Sequence, residues 1–298
     1  MITTIISLSK RFYFYQKLRF PVVILSLSLL PAILSSGTIV TANPPVFQVA
    51  GVLITSILYL LHIRVIDEYR DFSHDNIHHN LRPVQTGHIS IKELQIIDIY
   101  AMVIFLAIAI FAGIYSFFVG VFMLIYSYLA SKDFFIGEKL RQHFFIYNGI
   151  NIIQMFLLQF FAYTIFAGSI SFTTLLILHY IFTCIGSIIF EFVRKLKIPG
   201  TDGTGKDTYT WYLGFNNAII VYLIFVLLNT VFFYQIMIII TGQNTLWLFF
   251  SFVLFCISLL FALVHLIKKA THTEQLMQLS FLIVYAIFNL VIYFVKLH

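Results

Sequence analysis

Long apolar runs, each closed by a short polar segment, repeat along this chain from end to end. The runs are continuous rather than alternating with a period of two, so they predict helices and not barrel strands. Nine approach the 20 or so residues that cross a bilayer. They are Phe20–Ser36, Val46–Ile63, Leu94–Gly113, Ile114–Ala130, Phe144–Phe166, Ser171–Phe190, Ala218–Ile240, Leu246–Ile267 and Met277–Val295. The third and fourth runs meet at Gly113, where a single tight turn must separate them. One long buried helix is the competing reading there.

Charge decides that point. Lys and Arg collect in cytoplasmic loops. With the N-terminus inside and nine spans, 17 of the 18 basic residues fall on the cytoplasmic side, and Lys296 is the exception. Merging the runs at Gly113 would send Lys132, Lys139 and Arg141 outside, so nine spans are expected. All 12 acidic residues lie at or near the same face, while the outer loops around Gly37–Asn43, Gly168–Ser169 and Thr241–Asn244 carry no charge. The molecule has one working face.

Composition agrees with this. The 298 residues are 60% hydrophobic and 10% charged, against about 25% charged in soluble domains. The bilayer has to be the solvent. Topology and anionic lipid explain the net charge of +6, so it is no argument for nucleic acid. Cys184 and Cys256 fall inside spans without metal or redox spacing and read as small core residues. The first 20 residues lack the order of a cleaved signal and read as an interfacial helix. No linker divides residues 1–298, which read as one domain.

Two cytoplasmic loops exceed what a bare connection needs, Arg64–Glu93 and Glu191–Asn216. The first opens RVIDEYRDFSHDNIHHNLRPVQTGHIS. Asp67, Asp71 and Asp75 stand at i, i+4 and i+8, which stacks three carboxylates on one face of a helix leaving the membrane. Like charges so placed repel, a cost that makes sense if a cation sits among them. Mg²⁺, held by carboxylates and substrate phosphates, is the natural candidate. The plainer alternative is a solvated acidic helix end interleaved with Arg64 and Arg70.

The DEYRDFSHD stretch followed by RPVQTGHIS resembles the first signature of the UbiA superfamily of intramembrane prenyltransferases. Members carry Asn-Asp or Asn-Gln and two further aspartates at steps of three or four, then Arg-Pro, a small apolar residue and Gly. The interval from Asp75 to Arg82-Pro83 is that of homogentisate-type members. The resemblance implies an all-α polytopic fold, with nine helices around a central cavity and a cytoplasmic N-terminus. It implies Asp67, Asp71 and Asp75 as catalytic ligands of Mg²⁺ against an isoprenyl diphosphate. Arg64, Glu68, Tyr69, Arg82, Lys132 and Arg141 become candidates to bind that substrate. Asp67 and Glu68 depart from the usual pair without losing an oxygen ligand.

The second loop, EFVRKLKIPGTDGTGKDTYTWYLG, departs further. Thr208, Leu213 and Gly214 fit the tail of the family's second signature. Glu191 stands for its first Asp, but Arg194 and Lys195 occupy the place of further carboxylates. Glu191, Asp202 and Asp207 remain candidates for a second metal, and Arg194 and Lys195 are candidates to bind phosphate directly. Lys197 equally suits a lipid headgroup.

The implied reaction passes a prenyl group to a lipophilic acceptor inside the membrane, with aromatic acceptors among the candidates. Prenyl cyclisation and transfer of a phosphosugar to a prenyl phosphate are alternatives. His74, His78 and His79 resemble one box of the membrane di-iron enzymes, but the other seven histidines are scattered singly. These three are therefore expected to be polar members of a mobile loop. A transporter, the non-enzyme alternative, would place ionisable residues or broken helices near mid-membrane, whereas Asp98 lies near the start of the third span and His179 and His265 are isolated. In a bacterium the expected location is the plasma membrane, with the active face cytoplasmic.

Overall fold

The computed structural model describes residues 2–170, 172–198 and 207–298. Among them every regular element is helical: α1 (Ile2–Arg19), α2 (Val22–Val40), α3 (Val46–Arg70), α4 (Phe72–His78), α5 (Ile91–Ala112), α6 (Ile114–Ser131), α7 (Glu138–Arg141), α8 (Phe144–Ala167), α9 (Thr174–Arg194), α10 (Tyr209–Leu213), α11 (Phe215–Thr241), α12 (Thr245–Lys268) and α13 (Thr271–Leu297), with a 3₁₀ turn at Asp133–Phe135. Nine of these helices are long and apolar enough to cross a membrane: α2, α3, α5, α6, α8, α9, α11, α12 and α13. They correspond one to one with the nine expected runs.

The differences lie at the ends, where helices outrun the apolar stretch. Helix α3 continues past Ile63 to Arg70, carrying polar residues out of the bilayer. Helix α13 begins at Thr271, six positions before the apolar run, because the Thr273 hydroxyl accepts from Ala270 N and supports the first turn. Helix α5 opens on a capping box, with Glu93 N donating to Ser90 Oγ at 3.2 Å and Ser90 N donating to Glu93 Oε2 at 2.9 Å. Gly113 separates α5 from α6 at φ 132° and ψ 168°, a region essentially reserved for glycine. That one residue makes two spans of what could have been one long helix.

Packing divides the chain into two compact units, Met1–Leu30 with Pro45–His143, and Pro31–Pro44 with Phe144–His298. In the first, α3 packs on α5 and α6 around Tyr59, Phe105 and Met123, all fully buried. In the second, α9 packs on α8, α11 and α13. One apolar cluster there holds Phe192, Tyr209, Phe215 and Tyr222. Another is built around Phe182, Phe233 and Phe288, with the Phe233 and Phe288 rings 4.2 Å apart.

Neither interior is purely apolar, which corrects the expectation of isolated polar groups. In the first unit His62 Nδ1 lies 2.8 Å from Asp98 and its Nε2 lies 2.8 Å from Ser127 Oγ. In the second, His179 lies between Tyr163 OH at 2.6 Å and Ser35 Oγ at 3.0 Å, and Ser35 donates to Asn289 Oδ1 at 2.6 Å. His265 meets the Thr273 hydroxyl at 2.9 Å. Hydrocarbon offers polar groups no water, so each needs a partner from another helix or turn.

Candidate active site

The acids of the first loop sit where α3 ends and α4 begins. Asp71 is at once the C-cap of α3 and the N-cap of α4. The backbone stays near-helical across it, with Asp71 N donating to Asp67 O at 2.9 Å and Asp75 N to Asp71 O at 2.8 Å. The one-turn spacing read from the sequence is therefore kept.

The side chains settle the repulsion in a way that local spacing did not reveal. Arg70 donates to Asp67 Oδ1 at 2.7 Å and to Asp71 Oδ1 at 3.3 Å. Its guanidinium is largely buried and lies where a cation was called for. The third acid, Asp75, is buried and bound through Oδ2 by Arg82. Arg82 precedes the proline that turns the loop back toward α5, so its position in the motif and its contact agree. A carboxylate can accept about four hydrogen bonds or ligand contacts, so an arginine partner does not by itself exclude a metal. Carboxylate oxygens are the donor type that Mg²⁺ takes, although Asp67, Asp71 and Asp75 do not together draw their ligand atoms within 4.8 Å of one another.

Arg64 and Glu68 go elsewhere. Buried Glu68 accepts from Arg64 at 2.7 Å, from Arg19 at 3.0 Å and from Tyr15 at 3.5 Å, which ties α1 to α3. Burial, then the Glu68 charge, pushes the Tyr15 hydroxyl above the ordinary tyrosine range.

Tyr69 and Lys132 do come together. Tyr69 is half exposed, and Lys132 Nζ stands 5.9 Å from its ring centroid, within cation–π range. Lys132 is followed by a left-handed turn with φ of 48°, 53° and 59° at Asp133, Phe134 and Phe135. Each such residue costs roughly 1–2 kcal/mol. Arg141 holds this turn by donating to Asp133 Oδ2 at 2.8 Å. Asp133 was not anticipated, although an acid eight positions before an arginine across a short turn was the available signal.

The histidine segment is not a loop. His74 and His78 lie on α4 with rings 4.5 Å apart, because i and i+4 share a helix face. His79 follows at its end, where partial burial and then the Arg82 charge hold its imidazole below the usual range. Among the described residues, one group of three metal-capable side chains has ligand atoms within 4.8 Å of one another, and it is His74, Asp75 and His79.

In the second unit Glu191 accepts from Arg194 at 2.7 Å and from Lys195 at 3.0 Å. Lys195 also donates to Asn148 Oδ1, and Lys197 reaches Glu274 at 2.5 Å. Thr208 caps α10 by accepting from Trp211 N at 3.3 Å, and Tyr209 N donates to Lys195 O at 3.2 Å. Gly214 links α10 to α11 at φ 77° and ψ 154°, so the motif's Thr and Gly are explained by backbone geometry. Asp207 is exposed and Glu191 is committed to cations. Asp202 and Lys206 lie outside the described residues.

This fold has close counterparts among solved structures. Digeranylgeranylglyceryl phosphate synthase superimposes with a TM-score of 0.67 at 14% identity, over 97% of this chain and 99% of that one. A UbiA homologue from Aeropyrum pernix K1 gives 0.68 at 12%, over 89% and 97%. A homologue from Archaeoglobus fulgidus, bound to DMAPP and Mg²⁺, gives 0.63 at 16%, over 95% and 98%. Identities this low speak for the fold. No curated protein matches the chain by sequence. Residues 28–289 match the UbiA prenyltransferase family, and the chain belongs to it. It is an integral membrane protein of that family.

Proposed function

We propose that this protein transfers a prenyl group from an isoprenyl diphosphate to a lipophilic acceptor, with Mg²⁺ as cofactor and the cytoplasmic face as the working side. The observation that carries the reading is the run Asp67, Asp71, Asp75. It holds three carboxylates at one-turn intervals, at the position of the family's first signature, with arginine counter-charges. The A. fulgidus homologue bound to DMAPP and Mg²⁺ is consistent with the same donor chemistry here.

When bound, Mg²⁺ supplies neutralisation of the charge that develops on the departing diphosphate. The chain's own residues do the rest. Asp67, Asp71 and Asp75 provide the oxygen ligands, and Arg82 orients Asp75. Lys132, held over the Tyr69 face, offers a second positive charge at the same end of the first unit. Arg141 acts through Asp133 by fixing the turn after Lys132. Arg64 and Glu68 anchor α1 and stand outside the chemistry.

In the second unit Lys195 and Arg194 are the phosphate-binding candidates, and Glu191 positions both. Glu191 offsets part of the basic run that phosphosugar transfer would draw on, so prenyl transfer is the better supported reaction. The test is detergent-purified protein with Mg²⁺ and labelled prenyl diphosphates of several chain lengths, with and without quinone-like or phenolic acceptors. Acceptor-dependent diphosphate release is expected. Release without an acceptor would favour cyclisation, and no release at any chain length would end the proposal.

A further inference from the structure

His74 and His79, two imidazoles that prenyl transfer does not call for, stand beside Asp75. His74 Nδ1 stands 3.6 Å from Asp75 Oδ1, and one ligand atom from each of the three residues lies within 4.8 Å of the others. In a tetrahedral zinc site with bonds of about 2.0–2.2 Å, adjacent ligand atoms stand about 3.4 Å apart. The His74–Asp75 edge nearly has that length already. Closing the remaining edges asks for movements on the order of 1 Å from two exposed imidazoles, well within rotamer freedom.

The surroundings support coordination at this place. Asp75 Oδ2 is held by Arg82, which leaves Oδ1 facing His74 with its direction set. A hydrogen-bonded carboxylate of this kind is the usual support of a metal ligand. His79 N donates to Asp75 O at 2.8 Å, so the end of α4 brings the second imidazole back beside the acid. The His78 ring, 4.5 Å from His74, stands one turn along the same helix. A recess of about 380 Å³, bordered by His78, His79 and Arg82 among others, lies alongside. Two imidazoles and one carboxylate are a poor set for Mg²⁺, which takes oxygen, and a good one for Zn²⁺ and its neighbours.

We propose that His74, Asp75 and His79 bind a zinc-class divalent ion, and that its occupancy draws Asp75 away from the magnesium–diphosphate site and so inhibits transfer. The binding half stands on this geometry alone. The inhibitory half rests on the functional reading above.

Equilibrium dialysis of the purified full chain against Zn²⁺, in excess Mg²⁺, would compare the natural protein with a His74→Asn/His79→Asn double variant. The natural protein is expected to retain one more zinc than the variant, or to bind it at least about tenfold more tightly. Co²⁺ in place of zinc should give the natural protein a visible band typical of four-coordinate nitrogen–oxygen ligation, and the variant should lack it. Equal zinc retention, or equal cobalt spectra, overturns the site. In turnover assays the variant should need about tenfold more zinc for half-inhibition, and identical inhibition of both proteins overturns the coupling. Zinc bound through these histidines in a protein that releases no diphosphate would uphold the site while the transferase reading fails.

Discussion

The two long loops of this protein solve opposite electrostatic problems. In the first, Asp67, Glu68, Asp71 and Asp75 crowd into two and a half helical turns, and the arginines Arg64, Arg70, Arg19 and Arg82 are drawn in to compensate them. In the second, the crowding is of cations, and single acids serve them. Glu191 holds Arg194 and Lys195, and Glu274 holds Lys197. The first loop is thus a set of compensated acids and the second a set of compensated cations. The contrast is one of sign: arginines answer acids in the first unit, and acids answer cations in the second.

The sharpest way to break that contrast is to remove the acids. Asp71→Ala and Asp75→Ala should each lower turnover by on the order of a thousandfold or more, because charge neutralisation at the leaving group is the dominant catalytic contribution. Size-exclusion elution in detergent should stay unchanged. Full activity in both variants would refute the metal assignment. Arg82→Ala comes next. It leaves a buried carboxylate without its orienting partner, and about a 10–100-fold loss is expected. Arg82→Lys should recover part of it, with the Mg²⁺ concentration needed for half-maximal rate as the readout.

On the other side of the comparison, Glu191→Gln distinguishes a metal ligand from a clamp on two cations. A clamp predicts a KM for prenyl diphosphate altered about three- to tenfold, the scale of one charge-assisted hydrogen bond, with an unchanged Mg²⁺ dependence. A shifted Mg²⁺ dependence would return Glu191 to the metal and erase the contrast between the loops. The smallest effect on chemistry belongs to Gly113→Ala. It should lower stability by about 1–3 kcal/mol through backbone strain, read as a fall in the detergent unfolding midpoint, with kcat/KM per folded molecule preserved.

How much of this was legible in the residues depends on distance along the chain. Nine spans followed from hydropathy and charge together, since hydropathy left Gly113 open and the placing of basic residues favoured a division there. The step of four from Asp67 to Asp71 to Asp75 survived into the structure because it is a property of one helix. Arg70 was visible as a neighbour of these acids, but its choice of Asp67 and Asp71 together is a matter of rotamer and burial. His74, His78 and His79 read as loop polarity because seven residues make a weak helix signal. Once the segment is helical, the His74 and His78 rings come within 4.5 Å and His79 turns back beside Asp75.

Transfer free energy is additive over a window of residues, so the amino-acid order by itself determined a polytopic helical membrane protein and the acids most worth testing. Pairing between helices depends on how each is rotated against its neighbours, which no window contains. Only the tertiary structure decided that His62 meets Asp98 and Ser127, that His179 joins Ser35 to Tyr163, that Lys132 lies over Tyr69, and that Lys197 is answered by Glu274. Those contacts join residues far apart in sequence, and the packing of helices in a solvent without water decides which of them form.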